Sequence, residues 1–309
     1  MFSNHKDLLG LKTATREDIL KVLDLAKEMK KLVLSENKKS ADLAGKSVVT
    51  LFYENSTRTR MSFELASKYM SASSANMTAT ASSVQKGETL IDTGATLDQM
   101  GVDVIIMRHN MSGAPHFLAK HVKASVINAG DGINEHPTQA LLDLYTMREH
   151  LGEISGKKVA IVGDVLHSRV ARSNAYGLNA MGAHVVFAGP TTLMPADDLS
   201  PLKAEYTSDI REAVKDADVV MGLRIQRERQ KAGLFPSVRE YSKFFGVNDE
   251  ILALAKPGAL LMHPGPVNRG VELSTMVADG EQSVIREQVQ NGVAVRMALL
   301  KILTRRENL

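Results

Sequence analysis

Short apolar runs, each followed by a polar or glycine-bearing turn and a helical pattern, recur along the chain and decide its fold class. They are Val48 to Tyr53, Val102 to Met107, Ser125 to Asn128, Val159 to Val162, Val185 to Phe187, Val219 to Met221 and Ala259 to Met262. Strands this continuously apolar are buried on both faces, as in parallel sheets. Strands that alternate with helices then imply an α/β fold. The series breaks at Leu151-Gly152-Glu153-Ile154-Ser155-Gly156, which reads as a domain junction. A length of 309 residues accommodates two domains of ordinary size. The expectation is two domains, each a parallel sheet flanked by helices, over 1–150 and 151–285, with a C-terminal helix over 286–309 packing back on the first.

Helix boundaries are marked locally. Thr15 and Asp18 have the spacing of a capping box ahead of Ile19, Leu20, Val22, Leu23, Ala26 and Met29. Pro137 to His150 reads as a helix with Ala140, Leu141, Leu144 and Met147 on one face. Asn248 caps a short helix stopped by Pro257-Gly258, and the last helix, Val284 to Leu303, carries Val289, Val293, Met297, Leu300 and Leu303 on its apolar face.

Composition narrows the chemistry. There is no cysteine, so disulfides, cysteine-ligated zinc and thiol nucleophiles are excluded. No His/Asp/Glu spacing suits a metal, and the turn after Val162 holds only Gly163 where a dinucleotide fingerprint needs three glycines. No cofactor is expected. A net charge of +3, without basic blocks interleaved with aromatics, argues against a nucleic-acid surface. The cluster from Arg224 to Lys231 is compatible with a solvated helix or loop. No apolar run approaches the roughly 18 residues of a membrane span, and the N-terminus has no signal core. The cytoplasm is the default compartment.

Open parallel sheets bind ligands beyond the carboxyl ends of their strands. Polar groups collect there after nearly every strand: Ser56 to Arg60, Arg108-His109, Gly130 to His136, Gly163 to Arg169, Arg224 to Gln226 and His263 to Pro266. Such agreement across two domains predicts one active site in an interdomain cleft. Ser56-Thr57-Arg58-Thr59-Arg60 opens a helix directly after a strand. Helix-start N–H groups, the helix dipole and guanidinium forks together suit a phosphate. His136 and Gln139 lie one turn apart, and the imidazole is either a helix cap or a donor to a developing oxyanion. Arg169 and Arg224 suit carboxylates. Ser82 to Glu88 reads locally as a flexible surface loop. The inventory is almost all donors, which favours positioning two anionic reactants over forming a covalent enzyme intermediate.

Taken in order, Ser56 to Arg60, Lys86-Gly87-Glu88-Thr89, Arg108-His109, His136 to Gln139 with Leu141-Leu142-Asp143, Arg169, Arg224-Ile225-Gln226 and His263-Pro264-Gly265-Pro266 resemble the aspartate/ornithine carbamoyltransferase family over nearly the whole chain. The resemblance implies that Ser56, Thr57, Arg58 and Thr59, with Arg108, hold the phosphate of carbamoyl phosphate. Thr59, Arg108 and His136 polarise its carbonyl, while Gln139 and the backbone at Gly265 and Pro266 fix the carbamoyl amide. Arg58, Thr59, Arg108 and His136 are the implied catalytic residues. The His-Cys-Leu-Pro motif of the ornithine branch is replaced by His263-Pro264-Gly265-Pro266, and Arg224-x-Gln226 resembles a dicarboxylate reader, so the aspartate branch is favoured. Arg169 would then bind the α-carboxylate of L-aspartate, and Arg224, Gln226 and Lys86 the β-carboxylate. The product would be carbamoyl-aspartate, in pyrimidine biosynthesis; ornithine or another amine is the alternative acceptor. Ser82 and Lys86 are expected to enter the site of a neighbouring subunit in a homotrimer. Ser82 is preferred over adjacent Ser83 by its distance from Lys86. Gly265 stands where some members carry a larger apolar residue. The resemblance leaves open whether regulatory chains or a dihydroorotase associate.

Overall fold

The computed structural model describes residues 6–78, 88–195, 202–225 and 237–304. The chain divides into two compact units, Met1–Leu142 with Gln290–Leu309, and Asp143–Val289.

In the first unit, α1 (Arg16–Leu34) leads to β1 (Ser47–Phe52), α2 (Thr57–Tyr69), β2 (Ser73–Thr78), α3 (Leu90–Gln99), β3 (Val104–His109), α4 (Ala114–Ala119) and β4 (Ser125–Asp131). The sheet is wholly parallel, in the order β2-β1-β3-β4. β4 is buried along its entire length and β1 along all but its first residue, as continuous apolar runs require. The Thr15/Asp18 capping box forms: the Asp18 N–H donates to Thr15 Oγ1 and the Thr15 N–H to Asp18 Oδ2, both at 3.2 Å. The outer edge of β4 is covered by the segment around Leu8, whose N–H donates to Val126 O at 2.9 Å while its carbonyl accepts from Asn128 N–H at 2.8 Å.

The second unit holds β5 (Lys158–Val162), α6 (Arg169–Ala180), β6 (His184–Ala188), β7 (Glu205–Thr207), α7 (Ile210–Val214), β8 (Val219–Gly222), α8 (Val238–Phe245), α9 (Asp249–Leu252), β9 (Leu260–Met262) and α10 (Thr275–Asp279). Its five strands are also parallel, in the order β7-β6-β5-β8-β9. Asn248 caps α9 as its side chain predicts, accepting from Ile251 N–H at 3.0 Å.

β2 and β7 carry no apolar run and were not expected as strands. Both lie at sheet edges, where one side meets solvent and burial no longer dictates sequence. Two further helices, α5 (Pro137–Leu151) and α11 (Ile285–Thr304), are each divided between the units along the chain. Both depart from the one-sided faces expected of them. α5 is buried at every position from 137 to 147, and α11 at most positions from 291 to 303, so neither keeps a narrow stripe. Val289, expected on the apolar face of α11, is 55% exposed.

Each sheet is pinned at its N-terminal end by one aspartate. Asp103 accepts from the Ser47 N–H at 2.8 Å and from Lys46 Nζ at 3.0 Å, at the start of β1. Asp218 accepts from the Lys158 N–H at 2.9 Å and from Lys256 Nζ at 2.9 Å, at the start of β5.

Candidate active site

In the first unit the candidate residues lie at the carboxyl ends of β1, β3 and β4. Ser56 is the N-cap of α2 with extended backbone, yet its hydroxyl does not bond the helix it caps. The initial N–H groups of a helix have no partner within it, and here the cap residue does not supply one. Thr59 is buried and faces inward. The Arg60 guanidinium packs over the Phe52 ring, 5.3 Å from its centroid. Arg108 is the penultimate residue of β3, and its position is fixed by an ion pair: Nη2 donates to Glu54 Oε1 at 2.9 Å, and Nη1 lies 3.4 Å from the Ala129 carbonyl.

His136 stands immediately before Pro137 and is buried. Its carbonyl accepts from the N–H groups of Gln139 and Ala140 at 3.0 and 3.3 Å, and its Nδ1 lies 3.5 Å from Thr138 Oγ1. Gln139 is buried on the same turn. The loop leading into His136 is held from below by Asp131, which is fully buried. Its carboxylate accepts from the N–H groups of Gly113 and Glu135 at 2.7 and 3.1 Å, and from Asn128 Nδ2 at 2.8 Å. Glu135, also buried, accepts from the Leu11 N–H at 2.7 Å. Gly132 has φ +47°, and a Cβ there would fall 2.7 Å from Ser112 N, so no other residue fits. His109 is committed to local structure: its Nδ1 accepts from the Met111 N–H at 2.9 Å, and its ring packs 4.6 Å from that of Tyr53. Burial lowers the His109 pKa against the raising effect of Asp131 and Glu54.

In the second unit the candidate residues lie at the ends of β5, β8 and β9. Arg169 is the first residue of α6 and is buried; Ser168 before it caps the helix, accepting from the Ala171 N–H at 3.1 Å. Buried Asp164 orients His167, whose Nδ1 lies 2.9 Å from Oδ1. Arg224 follows β8 and is half-buried. The next N–H, of Ile225, donates to Glu272 Oε1 at 2.8 Å, and Glu272 also accepts from the N–H and Nδ2 of Asn268. Burial raises the Glu272 pKa, opposed by these same donors. After β9, the buried His263 accepts the Gly265 N–H on Nδ1 at 2.8 Å, which places the ring proton on Nε2. Gly265 has φ +64°, and the Gly265–Pro266 peptide is cis.

The structure thus gathers Ser56, Thr57, Arg58, Thr59, Arg108, His136 and Gln139 at the strand ends of one unit, and Arg169, Arg224, Gly265 and Pro266 at those of the other. Ser82, Ser83, Lys86 and Gln226 lie outside the described residues. Glu54, Asp131, Glu135 and Glu272 were not singled out from sequence. A carboxylate at the end of an apolar strand, as Asp131 is between Gly130 and Gly132, was the available signal. Among the described residues no group of three or more His, Asp or Glu side chains could hold a metal ion. No described helix is long and apolar enough to cross a membrane.

Arginine, histidine and hydroxyl side chains collect at the strand ends of each of the two parallel α/β units. Comparison with known proteins agrees. The profile described as aspartate/ornithine carbamoyltransferase, carbamoyl-P binding domain, matches residues 6–149, and that described as the Asp/Orn binding domain matches residues 155–303. The chain belongs to the aspartate/ornithine carbamoyltransferase family. Its similar relatives include the aspartate carbamoyltransferase catalytic subunit of Ruminiclostridium cellulolyticum, 67% identical over 97% of this chain and 96% of that protein. The corresponding subunit of Acetivibrio thermocellus is 64% identical over 100% of this chain and 98% of its own. Among solved structures, aspartate transcarbamoylase from Trypanosoma cruzi in complex with carbamoyl phosphate aligns with TM-score 0.86 at 31% identity, covering 96% of this chain and 95% of that one. Ornithine carbamoyltransferase from Thermus thermophilus aligns with TM-score 0.87 at 28% identity, covering 97% and 99%.

Proposed function

We infer that this chain is an aspartate carbamoyltransferase, moving the carbamoyl group of carbamoyl phosphate to the amine of L-aspartate to give N-carbamoyl-L-aspartate and phosphate, the committed step of pyrimidine biosynthesis. The backbone alone does not separate the acceptors, since aspartate and ornithine enzymes align with it equally well. The observation that carries the acceptor is Arg224, set beside the strand end of β8 with its neighbouring N–H fixed by Glu272. A guanidinium there attracts a second carboxylate and repels the ammonium of ornithine.

Ser56, Thr57, Arg58 and Thr59 take the phosphate, assisted by Arg108. Thr59, Arg108 and His136 donate to the carbonyl oxygen, where negative charge grows as the amine attacks. Gln139 and the carbonyls at Gly265 and Pro266 receive the carbamoyl N–H groups. Arg169 holds the α-carboxylate of aspartate; Arg224, Gln226 and Lys86 hold the β-carboxylate. Carbamoyl phosphate binds first and completes the aspartate site. The neutral amine nitrogen then forms a bond to the carbonyl carbon, the C–O bond to phosphate breaks, and the departing phosphate takes the amine proton, so no protein base is needed. Glu54 tempers Arg108 without neutralising the donor set.

We further propose a cytoplasmic homotrimer in which Ser82 and Lys86 serve the neighbouring subunit, with regulatory chains or a dihydroorotase as candidate partners. The test is carbamoyl transfer from carbamoyl phosphate with L-aspartate and L-ornithine offered in parallel. Carbamoyl-aspartate alone is expected; citrulline alone would overturn the role given to Arg224.

A further inference from the structure

One buried polar chain in the second unit has no part in the roles above. Asp143, on α5 and fully buried, accepts from Asn174 Nδ2 on α6 at 2.8 Å and, through its other oxygen, from Gln288 Nε2 on α11 at 2.7 Å. Gln288 is only 2% exposed and spends its own oxygen on the backbone: Oε1 accepts from the His263 N–H at 3.0 Å. His263 in turn accepts the Gly265 N–H on Nδ1. The links run in one direction, from a buried carboxyl, through an amide whose two ends are both used, into the turn that presents Gly265 and Pro266. Buried carboxylates are costly unless fully paired, and this one ties three helices to the end of β9.

We propose that Gln288 is a positioning residue for carbamoyl phosphate, reading the Asp143 carboxylate with its amide nitrogen and fixing the His263–Pro266 turn with its amide oxygen. This rests on the assignment of the Gly265 and Pro266 carbonyls to the carbamoyl N–H groups. A carbonyl acceptor is useful only in one orientation, and Gly265, with its positive φ, has no side chain to pack. The polarity of the chain fixes which amide face meets which partner. Only a residue with a donor and an acceptor at one end of a Gln-length side chain satisfies both Asp143 and the His263 N–H.

The polarity supplies the test. Gln288→Glu has the same shape but sets a carboxylate against that of Asp143. Adding Asp143→Asn places an amide donor at position 143 against the new carboxylate and still leaves an oxygen for Asn174. In the intact enzyme, Q288E is expected to raise the KM for carbamoyl phosphate about fivefold or more, the effect of one lost buried hydrogen bond. The D143N/Q288E double variant is expected to return KM to within about twofold of wild type. A merely structural role would lower the melting temperature of Q288E without this KM change. Wild-type KM in Q288E, or no recovery in the double variant, overturns the proposal. Should Q288E not fold, Gln288→Met, which fills the space without either bond, is read by the same KM criterion. An active wild type with unresponsive variants defeats this inference alone, whereas a wild type that forms no carbamoyl-aspartate defeats the functional reading beneath it.

Discussion

The two units are variations on one plan. Aligned on their central strands, β2-β1-β3-β4 corresponds to β6-β5-β8-β9, with β7 added at the edge of the second sheet. The side chains correspond as well. A serine and an arginine start the helix after the central strand (Ser56 and Arg58; Ser168 and Arg169), an arginine lies at or just beyond the end of the next strand (Arg108; Arg224), and a histidine follows the last (His136; His263). Even the anchoring aspartates, Asp103 and Asp218, hold equivalent places. The units differ in what the serine does. Ser168 caps its own helix, whereas the Ser56 hydroxyl does not bond α2. One helix start is satisfied internally and serves to aim Arg169. The other has no such side-chain cap, which supports the proposal that phosphate falls to the first unit and carboxylates to the second.

If that division is right, damage to the first unit should fall on the chemical step. Arg58→Ala or His136→Ala is expected to lower kcat by roughly 10²–10³, the cost of one donor to a developing oxyanion, with circular dichroism and melting temperature near wild type. Near-normal turnover in Arg58→Ala would remove the phosphate site from α2. Damage to the second unit should fall on binding. Arg224→Ala or Arg169→Ala is expected to raise the KM for aspartate roughly 10- to 150-fold, the worth of about 1.5–3 kcal/mol for a hydrogen bond to a charged group, while the KM for carbamoyl phosphate changes little.

The equivalent aspartates should respond alike to acid. Burial, the largest single influence, would raise both pKa values. For Asp103 it is outweighed by the Ser47 N–H and Lys46, and for Asp218 by Lys256 and the Lys158 N–H, so both are held below the ordinary range. A depressed carboxylate contributes stability that is complete above its unfolded pKa, about 3.9, and disappears as pH falls through the folded value. Urea midpoints followed downward from neutral pH should therefore fall most steeply below about pH 4, and Asp218→Asn should flatten that limb while lowering the plateau at neutral pH. An unchanged acid limb in the variant would deny Asp218 its pinning role.

Much of this plan is legible in the sequence, and its gaps have physical causes. The central strands announce themselves because burial on both faces leaves only apolar residues, as in Val159 to Val162. The edge strands Ser73–Thr78 and Glu205–Thr207 do not, because solvent on one side relaxes that demand. The helix caps at Thr15 and Asn248 are local and were readable. The one-sided faces predicted for α5 and α11 fail because helices buried nearly all round lose the periodicity that marks a surface. Among site residues, the donors are visible as clusters at strand ends. Their supports are not: Glu54 and Arg108, Asp131 and Gly113, or Gln288 and Asp143 are far apart in sequence and meet only through the fold.

The smallest expected effect is the most direct test of the division between the units. Carbamoyl phosphate binding by calorimetry, together with thermal unfolding, would be compared in Ser56→Ala and Ser168→Ala. Ser168→Ala is expected to lose about 1 kcal/mol of stability, as a lost N-cap does, and to bind carbamoyl phosphate like wild type. Ser56→Ala is expected to unfold like wild type and to bind carbamoyl phosphate about fivefold or more weakly. The reverse pattern, or equal losses of stability in both, would contradict the assignment of the phosphate to the first unit.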